Sequence, residues 1–217
     1  GINLKIESGQ SLGIIGKVGS GKSSLLNIIN RLYDPNNGKV LLDGYDIRKF
    51  KLEKLRSYIG NIPQNAFLFS ESIQDNIRLG KVNATDLEIQ QASKTAAIHK
   101  SIIKFKDGYQ TLLGERGLTL SGGQIQRISI ARAIIKEPKI LLFDDCLSAV
   151  DTDTEEIILK NLKNYSQNKT TIIVSHRISS VKDADHIVVL DQGKIIEQGD
   201  HQKLYNLKGF YYDLFNK

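Results

Sequence analysis

Between residues 11 and 15 the apolar side chains Leu12, Ile14 and Ile15 form a stretch that suits a short buried strand. Glycines then break the pattern, and from 24 to 32 Leu25, Ile28, Ile29 and Leu32 recur at helical spacing. Residues 140–143, Ile-Leu-Leu-Phe, are a continuous apolar run of the kind buried on both faces of a parallel sheet. Further strands are predicted at 170–175 and 186–191, and Asp191-Gln192-Gly193 reads as a hairpin turn leading into 194–197. A small strand-rich flank is expected at 38–44. Helices are expected through much of 65–136, one of them at 125–135, and in a tail from Asp200 with Leu204, Leu207, Phe210 and Tyr211 on one face. Strands alternating with helices place the chain in the α/β class.

The glycines that end the first strand carry chemistry. Residues 16–23 fit G-x-x-x-x-G-K-[ST] through Gly16, Gly21, Lys22 and Ser23, with Lys17, Val18, Gly19 and Ser20 between them and Ser24 following. Strand, glycine-rich loop and helix are the context that this pattern needs. Glycines let successive backbone N–H groups turn toward phosphate oxygens, and the helix start adds a partial positive charge. Lys22 is expected to reach the β- and γ-phosphates, and the Ser23 hydroxyl to ligate Mg²⁺. A dinucleotide G-x-G-x-x-G reading fails because position 24 is Ser. The run 140–143 ends in Asp144 and Asp145, at the strand end where open α/β sheets bind ligands. Asp144 is the expected Mg²⁺-organising carboxylate, acting directly or through water.

Composition narrows the class. At 217 residues, 40% hydrophobic and 25% charged, the chain fits one large α/β domain or two lobes sharing a core. No run of about 18 apolar residues exists, so no membrane span is predicted, and no signal peptide is visible. The single Cys146 excludes an internal disulfide, suits a reducing compartment and reads as a small buried filler rather than a reactive thiol. A net charge of +6 without a basic run interleaved with aromatics points away from nucleic acid as a partner.

Taken in order, the phosphate loop, Gln64, Leu-Ser-Gly-Gly-Gln at 120–124, Ile-Leu-Leu-Phe-Asp-Asp at 140–145, Ser-Ala-Val-Asp at 148–151 and His176 resemble the nucleotide-binding domain of an ABC transporter over essentially the whole chain. The resemblance implies a RecA-like P-loop NTPase core at 1–64 and 137–199, with a small antiparallel β flank, an inserted α-helical subdomain at 65–136 and a C-terminal helix at 200–217. It implies ATP and Mg²⁺ as ligands. Gln64 resembles the glutamine that contacts Mg²⁺ or the attacking water. Leu120, Ser121, Gly122, Gly123 and Gln124 resemble the signature that caps ATP held by an opposite domain, with Arg127 following as in the family. Asp151 resembles the aspartate that links two sites across a dimer. His176 resembles the histidine that touches the γ-phosphate; on its own, a His after strand 170–175 reads as structural.

One residue departs from the family pattern. Hydrolysing members carry Glu after the metal-organising aspartate, where this chain has Asp145. Its carboxylate sits one methylene back, roughly 1.5 Å, and a misplacement of about 1 Å can cost around 10²-fold. The chain's own site is therefore expected to be impaired beside an intact signature, as in one half of a heterodimeric exporter. A heterodimer is favoured over a homodimer, with the domains paired head-to-tail. The stretch 58–79 and Gly114-Glu115-Arg116-Gly117 resemble exporter domains. The partners implied are a second nucleotide-binding domain and the transmembrane domain of an exporter, at the cytoplasmic face of the cell membrane. Phe67, Leu68 and Phe69 read equally as core or as a docking surface for membrane-domain helices. The chain has no Met and opens on a strand-like Gly-Ile-Asn-Leu-Lys-Ile. A segment of a longer polypeptide is thus expected, with N-terminal strands, the adenine-stacking aromatic and the transmembrane domain outside it. ATP over GTP rests on the resemblance. Two alternatives stand: a non-hydrolysing regulatory nucleotide-binding module, and a soluble ABC ATPase not tied to transport.

Overall fold

The computed structural model describes residues 1–114 and 119–216. Strand β1 (Ser11–Gly16) is apolar on both sides, and Leu12, Ile14 and Ile15 are fully buried. A strand with no polar face must be paired along both edges and covered on both faces. It runs between β6 (Thr170–Val174) and β7 (His186–Asp191), parallel to each. Outside β6 lie β5 (Ile140–Asp144) and β4 (Ile59–Ile62); outside β7 lies β8 (Lys194–Gly199), antiparallel through the expected hairpin. The pleat divides the core. Leu12 and Ile14 join Leu26, Leu55, Leu142 and Val188 on one side. Ile15 joins Val181, Ile187, Leu204 and Tyr211 on the other. The α/β class with a parallel-dominated sheet is as expected. The flank at 38–44 is a minimal antiparallel pair, β2 (Leu41–Leu42) and β3 (Tyr45–Asp46). Asp43 and Gly44, both at positive φ, turn the chain between them.

Helices α1 (Lys22–Ile29) and α2 (Leu52–Tyr58) complete the early part of the sheet unit, which comprises Gly1–Asn61, Lys139–Asp145 and Asn168–Lys217. A second unit comprises Ile62–Pro138 and Cys146–Gln167. It is built from α3 (Ile73–Arg78), α4 (Asp86–Thr95), α5 (His99–Ile102), α6 (Gly122–Ile134) and α7 (Thr152–Tyr165). In it α6 packs on α3 and α4, and its Ile128, Ile130, Ala131 and Ile134 are buried. Residues 146–167 pack in this helical unit rather than with the returning strands. Cys146 is buried at 2% exposure, a filler as expected. Among the described residues no helix is long and apolar enough to cross a membrane.

Three expectations change. The alternating residues 1–6 form no strand: Ile2, Leu4 and Ile6 lean on the core cluster, but alternation without a ladder partner makes no sheet. Helix α1 stops at Ile29 because Arg31 takes φ 51°, so Leu32 leaves the helical phase and is exposed. The tail is two helices, α8 (His201–Leu207) and α9 (Phe210–Phe215). Lys208, at φ 54°, ends the first. Leu204 and Tyr211 are buried, whereas Leu207, in the last turn of α8, is exposed. Glu197 of β8 caps the second helix, accepting from the Phe210 N–H at 2.5 Å and the Tyr211 N–H at 3.1 Å.

Candidate functional site

In the sheet unit, the residues 16–24 occupy the end of β1, the following turn and the start of α1. A Cβ at Gly16 would collide with the Leu190 carbonyl oxygen, so the adjacent strand forces glycine here. Gly21 caps α1 at φ 99°, a conformation that L side chains avoid, and it offers no side-chain acceptor to the helix. The first turn of α1 also lacks acidic residues. That helix start is thus left to an external anion. The Gly193 N–H, in the β7–β8 turn, donates to Ser20 O at 3.1 Å and braces the loop. Lys17, Val18 and Gly19 lie exposed at its crest. Ser20 Oγ is buried beneath it without a hydrogen-bond partner among the described residues.

Lys22 is buried, and its Nζ donates to Gly16 O at 2.8 Å and Lys17 O at 2.9 Å, folding across the loop. Burial pulls its pKa below the ordinary lysine value, against the opposing pull of Asp145 and Asp144. Ser23 Oγ donates to Asp144 Oδ1 at 3.0 Å, joining residues 121 positions apart. Hydroxyl and carboxylate therefore meet as an oxygen pair of the kind that holds Mg²⁺. Burial raises the Asp144 carboxyl, the Ser23 hydrogen bond opposes this, and Asp145 adds repulsion. Asp145 follows β5 at φ 43° and donates its N–H to Val174 O at 2.8 Å. Its Oδ1 accepts the His176 N–H at 3.3 Å. The loop, Asp144, Asp145 and exposed His176 are thus brought together by the C-terminal ends of three adjacent parallel strands, β1, β6 and β5.

The raised Asp144 carboxyl has a sign consequence. A carboxyl with a raised folded pKa contributes stability that is complete below its unfolded pKa and lost as pH rises through the folded value. At pH 7 the ionised group therefore destabilises the ligand-free protein, by a small amount because it is only half-buried. Asp144→Asn, which keeps an acceptor for Ser23, is expected to raise the ligand-free Tm by about 2 °C at pH 7. Calorimetry without nucleotide or metal checks this; a lower Tm would mean that the carboxylate is stabilising as it stands.

The remaining predicted residues lie in the helical unit. Ser121 is the N-cap of α6, and Gln124 returns the bond: the Ser121 N–H donates to Gln124 Oε1 at 2.8 Å, and the Gln124 N–H donates to Ser121 Oγ at 3.3 Å. This capping box was legible as Ser-x-x-Gln ahead of an apolar run, a signal that the motif reading passed over. Gly123 packs closely: a Cβ there would lie 3.0 Å from Ala149 O, a tight contact. Gln126, one turn on and buried, bridges the loops beside it: Nε2 donates to Gln64 O at 3.5 Å and Oε1 accepts from the Ala149 N–H at 3.3 Å. Asp151 is the N-cap of α7, accepting from the Thr154 N–H at 2.9 Å, and that bond lowers its pKa. This capping task is separate from the linking role that the resemblance implied. Gly114 is described, while positions 115–117 of the exporter-like Gly114-Glu115-Arg116-Gly117 lie outside the described residues.

A family model described as ABC transporter matches residues 1–148. ATP-binding cassette sub-family B member 6 of Xenopus tropicalis is 45% identical over all of this chain, which covers 25% of that protein. The Beta-(1-->2)glucan export ATP-binding/permease protein NdvA of Bartonella bacilliformis is 43% identical, again over all of this chain, which covers 36% of it. A bacterial Atm1-family ABC exporter solved with ATP bound superposes with TM-score 0.93 and 43% identity, over 96% of this chain and 37% of that one. The chain thus spans between a quarter and two fifths of the length of these relatives.

Proposed function

Because the chain belongs to the ABC transporter family, whose domains bind ATP, usually with Mg²⁺, we propose that it is the ATP-binding motor domain of an exporter. The observation that carries this is the meeting of Lys22, Ser23 and Asp144 at an anion-ready helix start. The donor set fits Mg·ATP: a buried cation for phosphate, a hydroxyl and a carboxylate for the metal, and loop amides held by glycines. When bound, Mg·ATP supplies an electrophilic γ-phosphorus and a cation that offsets charge on the leaving group. Lys22 exchanges its loop carbonyls for phosphate oxygens. Ser23 and Asp144 hold the metal. Asp145 and His176 face the reacting end.

The signature 120–124 serves a second domain, paired head-to-tail, in which each nucleotide meets one phosphate loop and the other chain's signature. Asp145 is one methylene shorter than the glutamate expected of a hydrolysing site, and its carboxylate already accepts the His176 N–H. Both features support an impaired site in this chain and a Glu-bearing partner, hence a heterodimer. They equally favour the second reading, a module that holds ATP for regulation. Membrane-domain helices dock on Phe67 and Phe69, exposed at 66% and 49%, with this domain at the cytoplasmic face. These exposures favour the docking reading over core, and they weigh against a soluble ATPase without a transport partner.

Division of labour between the half-sites is testable. Ser121→Ala is expected to leave this chain's own Mg·ATP affinity within about twofold while lowering ATPase of the assembled protein about tenfold, one lost hydrogen bond to a charged group. Equilibrium titration and steady-state ATPase check it. Loss of affinity in the chain that carries the substitution would place the signature at its own site instead.

A further inference from the structure

Phe67 and Phe69 stand exposed with rings 5.0 Å apart, edge to face. Two large aromatics held in water contribute little to stability. Yet the backbone beneath them is tightly fixed. The Phe69 N–H donates to Asn76 Oδ1 at 2.8 Å, and Phe69 O accepts from Asn76 Nδ2 at 3.0 Å. Asn76 is fully buried, and the same Nδ2 donates to Ser72 O at 3.0 Å. Arg132 then closes the network. Its Nη1 donates to Phe67 O, its Nη2 to Asn76 Oδ1 and its Nε to Asn76 O, each at 2.8 Å.

The guanidinium has no carboxylate partner among the described residues. A partly buried cation without a counter-charge is costly unless its donors are all satisfied. Here that satisfaction depends on one conformation of 67–76, since any other releases charge-assisted bonds. Arg132 also belongs to α6, the helix that Ser121 caps. Eleven residues of helix, about 16 Å, separate the two, and a rigid helix moves as one body. A Gly80 Cβ would collide with Arg132 O, so the turn that follows α3 is pressed against α6 at this point.

We propose that Arg132 and Asn76 are positioning residues that preset the Phe67 and Phe69 docking aromatics and tie them mechanically to the signature helix. The proposal rests on the docking reading above. It adds that contact with membrane-domain helices is registered at 120–124 through the Arg132 fork, so that docking biases how the signature meets a partner's nucleotide. The preset loop also lowers the ordering cost of that contact.

The test is a double-mutant cycle in the intact membrane-embedded protein. Phe67→Ala/Phe69→Ala changes only exposed side chains, and Arg132→Lys keeps the charge while losing the planar fork. Each is expected to lower ATPase kcat about tenfold with KM for Mg·ATP within about twofold, and the combined variant to fall no further. A separate readout avoids activity: hydrogen exchange at the Phe69 amide is expected to quicken about tenfold or more in Arg132→Lys and in Asn76→Ser, while the Ile130 amide within α6 is unchanged. Multiplicative losses, about 100-fold in the combined variant, would overturn the coupling. Retained protection at Phe69 would overturn the presetting. Wild-type kcat in the aromatic double variant would instead remove the docking reading on which the proposal stands.

Discussion

Replacing Lys22 with Ala is expected to weaken Mg·ATP binding to this chain by about 10²–10³-fold, corresponding to roughly 3–4 kcal/mol of charge-assisted hydrogen bonding. The loop is already arranged around the ammonium, which bonds to Gly16 O and Lys17 O and balances Asp144 and Asp145. Removing it strips the phosphate contact and leaves two carboxylates near the place where polyphosphate must sit. Repulsion therefore adds to the lost attraction. The loop itself is expected to keep its shape, because Gly193 N–H and the Gly16 packing do not involve the lysine. Titration with a fluorescent ATP analogue, with circular dichroism to confirm folding, measures the effect. Affinity within about threefold of wild type in a folded Lys22→Ala protein would show that phosphate is not held here.

Lengthening Asp145 to Glu is expected to raise single-turnover ATP hydrolysis by about 10²-fold, the factor that about 1 Å of restored reach is worth in a positioned reaction. The structure sharpens the reason. Asp145 sits at φ 43°, directly after the strand carrying Asp144, and its Oδ1 is drawn to the His176 N–H. A side chain one methylene longer has the reach to extend beyond that amide while the backbone stays anchored by the Asp145 N–H to Val174 O bond. Single-turnover quench-flow at concentrations that permit pairing compares the two proteins. A nearly silent wild type and an active Asp145→Glu variant support a degenerate site completed by a partner. Equal turnover would make Asp145 an adequate base and a homodimer the better reading.

How far the site could be read in advance follows from chain distance. The phosphate loop is a strand, a turn and a helix start in immediate succession, so residue type and spacing alone dictate its shape, and Gly16, Gly21, Lys22 and Ser23 stand where the pattern put them. The capping box at Ser121 and Gln124 is equally local and equally legible. Helix ends were less so. Leu25, Ile28, Ile29 and Leu32 share a periodicity, but nothing local announced that Arg31 would turn left-handed and release Leu32 to solvent. The same holds at Lys208, where one residue's φ divided a continuous apolar pattern between two helices.

By itself, the sequence determined what needs only neighbours along the chain: the alternation that makes an α/β protein, the anion-ready loop, and the absence of a long apolar run. The tertiary structure alone decided what depends on residues meeting from far apart. It placed Ser23 against Asp144 and hung Asp145 from the amide of His176. It left 1–6 without a ladder partner and turned Phe67 and Phe69 outward over Asn76 and Arg132. The physical reason is that hydrophobic periodicity is set by covalent order, whereas hydrogen-bond satisfaction of a buried polar group is settled only when the fold has chosen its partners.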